Sequence, residues 1–433
     1  MTSASDGAPR GWEPCRLDRV LKYRKRQITP AQLRGMRVFH YSIPVVAETG
    51  DGQLEDGEEI DSNKFVVQGD EVLISKLNPH KGHLVLTRPQ ELLAVCSTEF
   101  LPLAPQHGER RFFYYLYASQ PIREQIIAAC QSATRSHMRA RPEDIWKLIV
   151  SLPPPATQRA IADFLDRKTQ AIDELIRNKE RLIELLQEKR QALITQAVTK
   201  GLDLNVPMKD SGLPWLGKIP AHWDVKLLMH LTPPTRRIMY GIVLPGPDVE
   251  GGIPIVKGGD VKRERLKLES LSRTAPEIEI RYVRSRLASG DLVFAIRGGV
   301  GDVEMVPPDL EGANLTQDAA RVAPSSAVDA HWLLLFLRSH IAFSQVEPRI
   351  LGATVRGINI RDLKRVIVPT PPHAEQSRIS EVVGRRCDAL VSIQERLTTQ
   401  IDRIREYRQA LISAAVTGQL DATVMKPAGA CLR

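Results

Sequence analysis

The nearest approach to a cutting site in this sequence is Pro247-Asp248 followed by Asp260-Val261-Lys262, two carboxylates that could hold a divalent cation and a lysine to stabilise developing charge. So short a pattern arises readily by chance, and Asp260 follows Lys257-Gly258-Gly259 in what reads as a strand-end loop. Gly298-Gly299-Val300-Gly301 is glycine-rich but lacks a following long helix, which makes it a strand turn more simply than a cofactor cradle. No GxxxxGK[ST] phosphate loop occurs, so ATP hydrolysis is not expected of this chain. Cys15, Cys96, Cys130, Cys387 and Cys431 are scattered without CxxC spacing, which argues against a zinc site or a disulfide framework. Basic side chains carry more information. Arg19, Lys22, Arg24, Lys25, Arg26, Arg34 and Arg37 form a run without an acid, whereas the next charge run, Glu48 to Asp61, is wholly acidic. That order predicts a polarised surface. The net charge of +9 favours polyanionic partners without singling one out.

The elements that must position these groups fall into a soluble, mixed α/β (α+β) chain. Hydrophobic residues make up 42%, enough for sizeable cores, and apolar runs such as Trp332 to Leu337 are too short to span a bilayer. Met1 to Arg10 lacks a signal-peptide core and is expected to be a frayed tail of a cytoplasmic protein. Val38–Tyr41, Lys64–Val67, Val72–Ser75 and Leu84–Leu86 read as strands between turn signals. A helix is expected over Arg110 to Ala129. Its run Phe112 to Tyr117 invites base stacking, but aromatics on such a helix are more often core. Leu152-Pro153-Pro154-Pro155 interrupts the chain, and from Gln158 to Thr199 the pattern is helical without Gly or Pro.

That helical stretch occurs twice. Arg190-Gln191-Ala192-Leu193-Ile194 and Leu202-Asp203 return as Arg408-Gln409-Ala410-Leu411-Ile412 and Leu420-Asp421. The offset of 218 holds without a gap back through Gln158/Gln376 to Asp144/Asp362. The second copy has a heptad seam of Leu390, Leu397, Ile404 and Leu411, and Lys179 takes the place of Leu397 in the first. Helices of roughly 40 residues would be about 60 Å long, and each is the economical partner for the other. Paired antiparallel, they would bring the chain termini together beside the first head and create a pseudo-two-fold axis. The heads diverge more than the helices, although Gly290–Arg297 parallels Gly69–Lys76.

Leu152-Pro153-Pro154-Pro155, Gln158, the Arg190–Ile194 helix end and Gly212-Leu213-Pro214-Trp215 resemble the specificity (S) subunit of type I restriction-modification systems. So do Lys76-Leu77-Asn78-Pro79 in the first head and Gly312–Asp318 in the second. The resemblance covers about Gly11 to Asp421. It implies two target recognition domains reading the halves of a split double-stranded DNA site, with paired helices setting the gap. It implies no catalysis by this chain and no cofactor bound to it; S-adenosylmethionine, ATP and Mg are expected on two methyltransferase (M) subunits and on restriction-translocase (R) subunits. No membrane partner is expected. The expected division is 1–10 tail, 11–150 first recognition domain, 151–204 helical spacer, 205–367 second recognition domain, 368–421 helical spacer and 422–433 tail. Copy two has Glu375 before its glutamine where copy one has Thr157, which leaves symmetric docking of the two M subunits open.

DNA contacts are expected from strand-end residues in loops: Tyr41, Lys76, His80 and Lys81 in the first head, and Arg236, Arg237, Tyr240, Lys257, Lys262 and Arg297 in the second. Arg356-Gly357 and Arg135 to Arg139 precede the two helices at comparable places and are expected on phosphates. Leu186, Leu193, Ile194, Leu390, Leu397, Ile404, Leu411 and Ile412 are expected to serve helix pairing and subunit docking. Four residues inserted near Thr195 are expected to lengthen the gap. A nuclease using Asp248, Asp260 and Lys262, or a coiled-coil adaptor for proteins, are the alternatives from other functional classes.

Overall fold

A computed structural model describes residues 9–130, 138–262, 265–352 and 356–420. The chain divides into two compact units, residues 1–180 with 398–433, and residues 181–397. The division falls inside both long helices, so each unit is one head with part of each helix, where separate helical spacers were expected. The expected tails lie almost wholly outside the described residues, as do Arg135 and Cys431.

In the first unit, a five-stranded sheet has the order Gln27–Ile28, Lys64–Val67, Ala94–Ser97, Arg37–Tyr41, Gln53–Asp56. A four-stranded sheet has the order Leu21–Tyr23, Phe100–Pro105, Val72–Ser75, Leu84–Leu86. Val72–Ser75 is buried on both faces, which is why Val72, Leu73 and Ile74 are apolar in succession and not alternating with polar residues. The basic and acidic runs meet within one sheet. Arg37 of the basic run lies opposite Asp56 of the acidic run in an antiparallel pair, and Arg24 binds Asp70 and Glu71. A ribbon of Glu13–Arg16 with Ile149–Leu152 closes the head just before the long helix.

The expected Arg110–Ala129 helix is two helices, Arg110–Ala118 and Gln120–Ala129, broken at the extended Ser119. Pro121 explains the restart: its missing N–H is harmless in a first turn and would break a ladder further in. The Ser119 hydroxyl donates to the Leu116 carbonyl at 2.6 Å. Phe112, Phe113, Tyr115 and Tyr117 are all buried, so this aromatic run is core.

The second unit repeats the plan. Its four-stranded sheet runs Met239–Tyr240, Ala319–Val322, Leu292–Ala295, Val303–Met305, and Asp224–Leu227 pairs with Ile367–Thr370 just before the second long helix. Its helices, Ala330–Leu337 and His340–Val346, flank Ser339, whose hydroxyl donates to Phe336 at 2.6 Å. The strand correspondence is shifted by one residue from the sequence parallel. Leu292 pairs with Val322 as Val72 pairs with Leu103, and Asp291 takes the place of Glu71. Arg24 binds Glu71 at 2.8 Å and Arg236 binds Asp291 at 2.6 Å. Arg297 therefore stands where the first head has Leu77, not Lys76.

The central helix, Pro155–Lys200, has 46 residues, and the C-terminal helix, His373–Val416, has 44. In the first unit they run antiparallel: Arg408 binds Asp173 at 2.9 Å, Arg405 binds Glu180 at 2.9 Å, and Lys179 donates to Gln400 at 2.7 Å. Lys179 is thus bonded across the seam it interrupts. In the second unit the Gln394 amide donates to the Ile183 carbonyl at 3.2 Å. A Cβ at Gly418 would lie within 3.1 Å of Trp12 and closer still to Pro9, so the first and last described segments meet beside the first head, as expected.

Each long helix begins with a glutamine that joins it to its head. Gln158 is almost fully buried, donates to the Pro153 carbonyl at 2.9 Å and accepts the Glu109 N–H at 3.0 Å. Gln376 does the same with Pro371 at 2.8 Å and the Asp329 N–H at 2.8 Å. A primary amide supplies both a donor and an acceptor, so neither buried backbone group is left unpaired.

Candidate nucleic-acid interface

In the first head, Lys76 follows the strand Val72–Ser75 and leads into a tight turn, Pro79–Lys81. Asn78 opens this turn at φ 50°, a left-handed conformation that asparagine tolerates better than most residues, and its side chain accepts the Met138 N–H at 3.2 Å. The turn presents His80 and Lys81 to solvent. Arg123 packs against it, since a Cβ at Gly82 would come within 2.9 Å of the guanidinium. Burial lowers the Lys76 pKa, a shift that Glu99 opposes, and burial together with Lys81 and His80 lowers that of His83. Tyr41 differs from expectation. It is fully buried with its ring edge-on to Phe39, and burial raises its phenol pKa. Its strand lies between two others in the sheet, so its position at the strand end does not bring it to the surface.

In the second head the structure brings four of the candidates together. Arg297 pairs as a bridge with Gly357, and the Gly298 N–H donates to the Arg356 carbonyl at 3.4 Å. Gly258 packs against this strand end so closely that a Cβ there would lie 2.2 Å from the Arg297 carbonyl and 2.9 Å from that of Asp318. Only glycine fits, and Lys257 is thereby seated beside Arg297. Tyr240 enters through the neighbouring strand, whose continuation Ile242 bridges Thr316. Lys257, Arg297, Arg356 and Tyr240 are all exposed around the turn Gln317-Asp318.

The remaining candidates stand elsewhere. Arg236 forms a two-pronged pair with Asp291 at 2.6 and 2.8 Å; the Asp291 side chain is 3% exposed, so this arginine neutralises a buried acid and is a fold residue. Arg237 is exposed, and its carbonyl accepts from the buried Arg321. Lys262 lines a cleft of about 530 Å³ with Arg190, Arg338 and Glu304. Asp248 accepts the Arg273 N–H at 2.7 Å and Asp260 the Lys257 N–H at 2.9 Å, so both shape loops. Among the described residues no group of three or more His, Cys, Asp or Glu converges as metal ligands would.

Of the residues expected in pairing and docking, Leu397 and Leu411 are buried and Leu186, Leu390 and Ile404 half-buried. Ile194 belongs to the core of the second head with Trp223 and Trp332, and Leu193 packs against that core, which removes both from a free docking face. Ile412 is equally buried in the first unit. Glu375 accepts from the Trp223 indole at 3.1 Å and lies 2.7 Å from the His222 ring, so it serves its own head. Sequence reasoning missed the bonding of Gln158 and Gln376, although their recurrence marked them, and it missed Gln317 and Asp318 as site residues.

Residues 9–185 match the family model described as the type I restriction modification DNA specificity domain. The chain is 27% identical over 318 residues to the specificity subunit of the type I restriction enzyme EcoBI of Escherichia coli, a match covering 72% of this chain and 66% of that one, just under two thirds. It is 22% identical to the putative type I restriction enzyme MjaX specificity subunit of Methanocaldococcus jannaschii, over 95% of this chain and 94% of that one. The fold is shared with the HsdS subunit from Thermoanaerobacter tengcongensis, 19% identical with a TM-score of 0.55, over 97% of this chain and 100% of that one. It is also shared with a chain solved in work on complex assembly and conformational transition of the type I R-M system, 19% identical with a TM-score of 0.73, over 95% and 99% of the two chains. A head repeated on one plan, joined through one glutamine to two long helices, thus accompanies a specificity-domain match over residues 9–185 and a likeness along most of the chain to specificity subunits of type I restriction enzymes.

Proposed function

We propose that this chain is the DNA sequence-recognition subunit of a type I restriction-modification complex. Each head reads one half of a split double-stranded site, and the paired helices set the unread gap. The observation that carries this reading is the duplication itself. The same four-stranded sheet order, serine-broken helix pair and glutamine junction recur in both heads, while the exposed strand-end residues differ. A shared frame with unlike surfaces suits two readers of unlike sequence.

The chain contributes no catalytic groups on this reading. Methyl transfer, with S-adenosylmethionine, belongs to two docked M subunits, and ATP- and Mg-dependent translocation and cleavage to R subunits, in the cytoplasm. Among the described residues no helix is long and apolar enough to cross a membrane. The loop-shaping bonds of Asp248 and Asp260 give no support to a nuclease reading.

Single-molecule mapping of methylated adenines in cells carrying this chain with its M subunits tests the proposal. A split motif with a fixed gap is the expected result, and a short continuous motif would overturn it. Exchanging residues 11–145 for another head should then change one half of the motif only.

A further inference from the structure

Asp318 stands in an unusual setting for a surface that touches DNA. Lys257, Arg297 and Arg356 are exposed around the turn Gln317-Asp318, and the Asp318 carboxylate lies 3.7 Å from the Arg297 guanidinium. Both side chains of that pair are well exposed, 48% for Arg297 and 39% for Asp318. The pair contributes little to stability in so solvated a place. The backbone beneath it is held firmly. The Asp318 carbonyl accepts the N–H groups of Ile296 at 2.9 Å and Arg297 at 3.1 Å, and the Asp318 N–H donates to the Thr316 hydroxyl at 3.4 Å. The Arg297 stem is confined on its other side by Gly357, where a Cβ would come within 2.9 Å of the Arg297 Cγ. An exposed pair with little value to the fold is thus mounted on a backbone that fixes its direction.

A carboxylate among three cations weakens attraction to phosphate, so a surface that only gripped the DNA backbone would do better without it. A carboxylate does have a use at a base edge, where it accepts from the amino group of cytosine, while an arginine takes the O6 and N7 acceptors of guanine. Together the two complement the two edges of one C·G pair, or one edge each of neighbouring pairs.

Resting on the proposal that the heads read DNA, we infer that Arg297 and Asp318 are the specificity-determining pair of the second head, with Lys257 and Arg356 holding the flanking phosphates. In the free protein the two side chains occupy each other; on DNA each turns to a base edge. Lys257 is placed for the flanking role by Gly258, and Arg356 by the bridge of Gly357 to Arg297. The first head has Leu77 in the place of Arg297, so the assignment predicts no equivalent pair there.

The test uses the full chain assembled with its M subunits, selecting from a pool of duplexes randomised across the site. The unaltered complex should return a split motif; if it does not, the reading of the heads as DNA readers fails before the pair is tested. Given a split motif, Asp318→Asn and Arg297→Lys should each relax or change the preferred base at one or two positions of a single half-site, by about tenfold or more, and leave the other half intact. Arg356→Ala should weaken all sequences alike and lessen the salt dependence. If Asp318→Asn tightens or abolishes binding to all sequences equally, the carboxylate is not at a base and the inference is overturned. The same follows if Arg297→Lys lowers affinity without changing any preference.

Discussion

Lys179 of the central helix donates to the side-chain oxygen of Gln400 in the C-terminal helix at 2.7 Å, a polar contact where the second copy has a leucine. Its counterpart in the second copy, Leu397, is 8% exposed. Lys179→Leu is therefore expected to stabilise the isolated chain by about 1 kcal/mol, since an apolar side chain is buried and the solvated Gln400 finds water. Thermal unfolding of the two proteins side by side checks this, and a lower midpoint for the variant would contradict it.

Gln158→Leu keeps the volume of the junction but leaves the Glu109 N–H and the Pro153 carbonyl without partners. A loss of about 2–3 kcal/mol is expected, because buried polar groups then go unpaired. Hydrogen exchange at the Glu109 amide should accelerate in this variant, whereas exchange at the Asp329 amide, bonded to Gln376, should not.

Arg236→Ala is expected to lower stability and not to alter DNA preference. It strands Asp291, whose side chain is 3% exposed, and removing one partner of a buried pair costs about 3 kcal/mol or more. Urea denaturation should show an earlier transition; an unchanged midpoint with altered half-site preference would return Arg236 to the DNA surface.

His40 is buried, with Nδ1 2.6 Å from the Glu55 carboxylate and Nε2 without a hydrogen-bond partner. Burial holds its pKa below the ordinary 6.5, against the pull of Glu55. The folded state thus prefers the neutral ring, and its contribution is complete above the ordinary value and lost as pH falls from there through the folded value. Stability should decline as pH is lowered from 7.5 to 5, and His40→Gln should lessen that decline. A variant whose pH profile matches the parent's would remove His40 as a cause.

Inserting four residues near Thr195, the natural choice from sequence, would cut into the second head, because Ile194, Ala197 and Val198 lie in its core. Insertions of about one turn after Leu185 and after Ser392 avoid that core. Leu185 is 44% exposed, and Ser392 lies one residue from Ile393, which is 43% exposed. Methylation mapping should then show both half-sites unchanged and a longer gap; an unchanged gap would mean the helices do not set it.

The parts legible in the sequence were those governed by local pattern. The strands from Lys64–Val67 to Leu84–Leu86 follow from short β-branched runs between turns, and both long helices from apolar spacing without Gly or Pro. What depended on distant partners was hidden. Tyr41 looked like a strand-end residue, but it is buried in a cluster with Phe65, Leu73 and Phe100, residues too distant in the chain to give a local signal. Arg236 looked like one more loop arginine because Asp291 is 55 residues away. The likeness of Gly69–Lys76 to Gly290–Arg297 was real but out of phase by one residue, which in a strand moves a side chain to the other face. That slip concealed the gathering of Arg297 with Lys257 and Arg356.

The glutamine junction has a consequence for how such chains diversify. Each head is fastened to its helix through two backbone groups, a carbonyl and an N–H, which every sequence supplies at those positions. A foreign head that keeps the ribbon before the prolines and the helix start near Glu109 or Asp329 can plug into the same socket whatever its reading surface. Crossovers within Leu152–Gln158 or Thr370–Gln376 should therefore yield folded chimeras. Crossovers guided by the Gly-Asp strand motifs would join strands one residue out of step. Recombination at the two junctions would then shuffle intact cassettes, and new sequence specificities could arise without any change to the helices between them.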